Sequence, residues 1–193
     1  MAAELAPTPL ARVSVGASWP KNATILGRAA LAITLKLGAL DFATEERASL
    51  HTISDRHYHH IFPDALLREA GISNSFIAMN CALINDKTNL NIGRKEPLSY
   101  LKERYEWADQ DVVKYRLSSH LIPLEELANG GYEELSDSER HVKVRKDYSA
   151  FIQKRGVLFE AAAKKLCQGH PITANEIVEY VAISNVPQAG IAR

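Results

Sequence analysis

Three histidines fall close together in the run Asp55-Arg56-His57-Tyr58-His59-His60-Ile61-Phe62-Pro63. Further along comes Asn80-Cys81-Ala82-Leu83-Ile84-Asn85-Asp86-Lys87-Thr88-Asn89, an apolar run that opens into a polar helix start. Adjacent imidazoles with carboxamides returning opposite them suit one divalent cation and a general base. Phosphodiester hydrolysis asks for those groups: a base to activate water, and a cation to stabilise charge on the phosphorane-like transition state and the leaving oxygen. A histidine titrates near neutral pH and suits the first task. A metal held by one or two protein ligands and several waters covers the rest. Asn89 would offer such a metal a neutral oxygen. Asn80 would hold the intervening loop through side-chain to backbone hydrogen bonds.

These side chains need a strand, a loop, a second strand and a helix to meet. Arg56 to Phe62 reads as a short strand and Ile77 to Ile84 contains another. On a regular strand His59 and His60 point to opposite faces, so both reach one site only if the strand ends or bulges there, which Pro63 favours. Pro63 would open a helical turn closed by Gly71. Asn85 or Asp86 would cap a helix through Ile92, stopped by Gly93, and Pro97 would start the next. Asn22 is the expected cap of an N-terminal helix with Leu26, Ala30, Ile33 and Leu37 at helical spacing. Residues 41–54 read as a polar connection. The C-terminal half reads as mainly helical, with Ser136 or Asp137 capping a long helix to about Gln168 whose Tyr148, Ile152, Phe159, Ala162 and Leu166 share one face. The expected fold class is therefore α+β, mainly α, with a short two-stranded hairpin embedded in a helical domain. Residues 1–20 read as a loose N-terminal segment, 21–170 as the domain and 171–193 as a tail, the last with one further helix near Ala174 to Val181.

The chain of 193 residues suits one domain of ordinary size. Its 23 basic and 23 acidic side chains cancel, so nucleic acid would be gripped by a local patch or by another domain, not by bulk charge. Lys87, Arg94 and Lys95 beside the site are the candidates for phosphate contacts. Asp55 suits a strand-start cap or a partner for an imidazole N–H, and His57 a neighbouring second layer or a solvent-facing position. Cys81 and Cys167 form no CxxC pair, which excludes a cysteine-built zinc ribbon. Without a signal-peptide pattern in Met1 to Val15 they read as free thiols in a reducing cytoplasm. Ala23 to Leu40 is interrupted by Arg28 and Lys36 and reads as a buried helix, not a membrane span.

The pattern His-His-Ile-Phe-Pro at 59–63, Asn80-x-Ala-Leu-Ile, Lys87-Thr-Asn89-x-x-Ile-Gly93 and Pro97-x-x-Tyr-Leu101 resembles the HNH (ββα-metal, His-Me finger) nuclease module. More narrowly it is similar to the C-terminal part of GmrSD-like type IV restriction proteins. Ser118-Ser119-His120-Leu121-Ile122-Pro123 and Tyr148-x-x-Phe151-x-x-x-Arg155 extend the resemblance, which covers roughly Leu26 to Gly169. It implies His60 as general base, His59 in the place of a metal-ligating aspartate or histidine, Asn89 as the second ligand and Asn80 as the loop-stabilising asparagine. It also implies DNA as substrate, a role in restriction or phage defence, and an N-terminal nucleotide-hydrolysing domain that this chain lacks. Mg²⁺ is the expected ion, and a histidine ligand would let Mn²⁺ or Ni²⁺ serve too. A double-strand cut by a one-site module would be helped by a homodimer. Two other readings stand beside this one. The histidine cluster would bind structural zinc or nothing while the helices dock a partner subunit, or the same chemistry would act on RNA.

Overall fold

The computed structural model describes residues 16–22, 24–129 and 131–184. It is mainly helical with one two-stranded antiparallel sheet. In chain order the elements are α1 (Ile25–Lys36), β1 (His57–His60), α2 (Asp64–Glu69), β2 (Cys81–Ile84), α3 (Asp86–Ile92), α4 (Pro97–Trp107), α5 (Gln110–Ser118), α6 (Leu124–Leu127), α7 (Asp137–Cys167) and α8 (Ala174–Ser184). Among the described residues 3₁₀ turns lie at Pro20–Asn22, Ile53–Asp55 and Ala78–Asn80.

The hairpin pairs His57 with Ile84, Tyr58 with Leu83, His59 with Ala82 and His60 with Cys81. All four residues of β2 are buried. Asn85 caps α3 by accepting from the Thr88 amide at 2.8 Å, satisfying one of the helix's open donors. Gly93 ends α3 at φ 57°, a left-handed turn that only glycine takes without strain, and aims Arg94 back beside the sheet.

Helix α7 is the spine of the core. Its Val144, Phe151, Ile152, Phe159 and Ala162 are buried. Phe62, just beyond β1, meets Phe151 and Tyr148 at ring-centroid distances of 5.1 and 5.5 Å. A capping box between Ser136 and Glu139 starts the helix, as the sequence leads one to expect. The α1 cap is Thr24, which accepts from the Gly27 amide, while Asn22 lies in the preceding 3₁₀ turn. Pro63 stands one position earlier than expected, as the cap of α2 and not its first residue.

Both expected segment boundaries move outward. Ala17 and Trp19 are core residues, and the Ala78 amide donates to the Ala17 carbonyl at 2.8 Å. At the other end Ile172, Ile177 and Val181 complete the same core, with α8 lying on α7. Short stretches of this kind carry too few turns for periodicity to reveal the buried face. The rest of the expected loose segment, residues 1–15, and the end of the tail, 185–193, lie outside the described residues. Among the described residues no helix is long and apolar enough to cross a membrane.

A candidate metal and phosphodiester site on the ββα unit

His57 and His59 share one face of β1, and α3 lies against that face. Asp86 and Asn89, one helical turn apart, meet the two imidazoles in order. His57 Nε2 stands 3.3 Å from Asp86 Oδ1 near the surface. His59 Nδ1 donates to Asn89 Oδ1 at 3.0 Å, a bond that assigns the tautomer. His59 is buried, and its Nε2 is sealed from solvent without a partner. Burial pushes its pKa down to about 4, offset in part by the Asn89 bond. The ring is therefore neutral at pH 7, the form that ligates a metal.

His60 takes the other face, as strand alternation requires. Its ring stacks on Trp19 with centroids 4.3 Å apart and meets Phe76 edge-on at 4.5 Å. Burial lowers its pKa, and the Asp64 carboxylate opposes that shift. Its Nε2 is sealed from solvent without a partner, so a water could meet this ring only at Nδ1. The opposite-face problem resolves at the strand end. Beyond His60 the chain turns at Pro63 into α2, and His59 and His60 both line one open cavity of about 450 Å³. Asp64 and Arg68 from α2 and Asn89 and Arg94 from the α3 side complete its wall.

Asn80 is fully buried and closes the loop between the strands. Its Oδ1 accepts from the Phe62 amide at 2.8 Å, and its Nδ2 donates to the carbonyls of Phe62 (3.0 Å) and Ser75 (3.1 Å). On either side of Asn80, the carbonyls of Met79 and Cys81 accept from Arg155 of α7 at 2.6 and 3.0 Å. The same guanidinium takes the His120 carbonyl at 2.9 Å, so a wholly buried cation with backbone acceptors pins the hairpin to the spine.

The donor set fits a divalent ion in one respect and limits it in another. Two ligands at right angles on an octahedral ion, each at about 2.1 Å, lie roughly 3 Å apart. His59 Nδ1 and Asn89 Oδ1 have that spacing, and an ion held by both would displace the Nδ1 proton and sit to the side of the line between the two atoms. Among the described residues no three His, Cys, Asp or Glu side chains converge as a metal cluster. A metal here would thus be held by one imidazole and one carboxamide, with water and phosphate oxygens filling the other positions.

Other expected neighbours lie elsewhere. Asp55 ends a 3₁₀ turn that directs it away from the imidazoles; it accepts from the Ser54 hydroxyl at 3.2 Å and lines a separate cavity of about 670 Å³ with Lys87. His57 pairs with Asp86 instead of supporting His59, because it lies two residues earlier on β1 and meets the first residue of α3, one helical turn before Asn89. Lys95 is engaged by Glu103 at 2.7 Å and by the Asn91 carbonyl at 2.9 Å, whereas Arg94 faces the cavity directly. Sequence reasoning missed Arg68, which pairs with Asp64 at 2.9 Å across one helical turn. The i,i+4 Asp-Arg pair directly after Pro63 was the available signal. It also missed Trp19 and Phe76, whose contacts with His60 come from distant segments.

No family model and no solved structure matches the chain. The chain is similar to an uncharacterized protein of Methanocaldococcus jannaschii, at 33% identity over 129 residues. That match takes in 60% of this chain and 21% of the relative, so the chain spans about a fifth of the relative's length.

Proposed function

We propose that this chain is a metal-dependent endonuclease module of the HNH type that hydrolyses DNA phosphodiester bonds. The observation that carries the reading is the convergence on one cavity of His59 bonded to Asn89, His60 braced by Trp19, and Arg68 with Arg94 at the wall. His60, kept neutral by burial, takes a proton from the attacking water at Nδ1. Trp19 and Phe76 hold the ring's orientation while it does so. His59 and Asn89 would hold the cation, which supplies charge stabilisation for the phosphorane and the departing 3′ oxygen. Arg68 and Arg94 bring guanidiniums to the same cavity, where they suit phosphate oxygens. Asn80 keeps Phe62, and with it the end of β1, in register.

The relative's greater length supports a reading in which the module works beside other domains; that one of them hydrolyses nucleotides, in restriction or phage defence, rests on the resemblance to GmrSD-like proteins alone. The test is digestion of plasmid DNA, modified phage DNA and RNA with Mg²⁺, Mn²⁺ or Ni²⁺, against an EDTA control. Metal-dependent cleavage of DNA is the expected result. Tight stoichiometric zinc with no cleavage of any substrate would sink the proposal and favour a binding module.

A further inference from the structure

The residue that grips the start of the helix carrying Asn89 lies outside the ββα unit, in the stretch that reads from sequence as a mere polar connection. Asp41 is completely buried. Its Oδ2 accepts the Asn85 amide at 2.7 Å, and its Oδ1 accepts the Thr88 hydroxyl at 2.6 Å. Asn85 and Thr88 are the cap and an early residue of α3, so one carboxylate grips the helix at two points. Two points fix what one cannot: the helix's position along its axis and its rotation about it. Rotation is the decisive variable, because Asn89 follows Thr88 by about 100° around the helix.

The carboxylate is itself held rigid. Oδ1 also accepts the amides of Ala43 (2.9 Å) and Thr44 (3.1 Å), and the Asp41 amide donates to the Glu46 carbonyl at 2.9 Å. The buried Arg56 places a guanidinium nitrogen 4.0 Å from Oδ2 and 3.5 Å from Glu46. Arg56 is the residue immediately before β1. One buried charge thus ties the helix carrying Asn89 to the entry of the strand carrying His59. A buried carboxylate costs heavily unless its oxygens are filled, and here the filling groups belong to the loop, to α3 and to the chain entering β1.

We infer that Asp41 is a positioning residue whose hydrogen bonds to Asn85 and Thr88 set Asn89 at bonding distance from His59, and thereby set the affinity of the site for a divalent cation. The metal half of this inference rests on the function proposed above; the positioning half does not.

The experiment uses the full chain as wild type, Asp41→Asn, Thr88→Val, Thr88→Ser and Asn89→Ala, with two readouts. The first is the imidazole NMR signal of the His59 Nδ1 proton without metal. It should persist in wild type and Thr88→Ser and vanish in Thr88→Val and Asn89→Ala. The second is Mn²⁺ titration by electron paramagnetic resonance. Thr88→Val should bind about tenfold more weakly, in the range found when outer partners of metal ligands are removed, and Thr88→Ser should restore binding. Should Asp41→Asn fail to fold, Thr88→Val, which keeps the carboxylate, decides the matter. Retention of the His59 signal and of wild-type Mn²⁺ affinity in folded Thr88→Val would overturn the inference. Loss of the signal in Thr88→Val, with no Mn²⁺ binding even by wild type, would uphold the positioning and overturn the metal reading alone.

Discussion

Replacing Asn80 with alanine gives the sharpest test of how the hairpin is held. Asn80 makes three hydrogen bonds in a wholly buried setting, but they are not equivalent. The Ser75 carbonyl keeps a second donor, the Ile77 amide at 3.0 Å. The amide and carbonyl of Phe62 are left with no partner among the described residues. Each buried backbone group stranded in this way costs about 1–3 kcal/mol. The expected destabilisation for Asn80→Ala is therefore about 2–6 kcal/mol, a large share of the ~5–15 kcal/mol typical of a folded domain. Asn80→Asp adds a directional check. It keeps an acceptor for the Phe62 amide but turns an oxygen toward two carbonyls, so its ionised form is disfavoured and its pKa in the fold is raised. Its stability deficit should then shrink as pH falls, when the protonated acid donates in place of the lost amide group. Urea denaturation followed by circular dichroism at pH 7 and pH 4.5, each variant against wild type at the same pH, measures both effects. An Asn80→Ala cost below about 1 kcal/mol with an unchanged urea slope would refute the clamp.

Three further outcomes follow from the same structure. His120 is fully buried with its pKa pushed down to about 3, so the unfolded chain binds a proton that the fold excludes. Stability should fall as pH drops below about 6.5, by roughly 1.4 kcal/mol per unit, giving a loss by pH 5 about 2 kcal/mol larger in wild type than in His120→Gln by urea titration. Arg94→Ala should lower the salt slope of DNA binding by about 1 in fluorescence anisotropy without metal, while Lys95→Ala, already engaged by Glu103, should change it less; equal effects would contradict the distinction. Cys167 is exposed, whereas the Cys81 thiol is buried with its pKa pushed up to about 12. A thiol reagent should therefore modify one cysteine rapidly in the native protein and both in denaturant.

The parts of the site that were legible in the sequence are those whose signals are local. The histidine pair before Pro63, the Asn85 cap, the Gly93 stop and the apolar second strand each declare themselves within a few residues, and the ββα order follows from them. The mainly helical α+β class was legible for the same reason, since long caps and periodic faces mark α1 and α7. What stayed hidden depends on partners far along the chain. Asp41 meets Thr88 across 47 positions, and Arg155 meets Met79 across 76. No composition or spacing rule marks a buried charge whose partners are backbone groups. Trp19 is a similar case: in a segment rich in proline it looked loose, yet it forms one wall of the His60 environment. The misplacement of Asp55 and His57 has a simpler origin. Proximity in sequence suggested proximity to the imidazoles, but a 3₁₀ turn and one helical turn of offset send them to Ser54 and Asp86.

His60 as general base is tested by the nicking rates of wild type, His60→Ala and His57→Ala on supercoiled plasmid, each with Mg²⁺, Mn²⁺ or EDTA. His57→Ala serves as the control, since His57 pairs with Asp86 at the surface and takes no part in the cavity. Wild type and His57→Ala should nick at similar metal-dependent rates, and His60→Ala should lose about 10²–10⁴-fold, the usual contribution of a general base. His60→Ala cleaving at the wild-type rate in a clean preparation, or cleavage untouched by EDTA, would contradict the account.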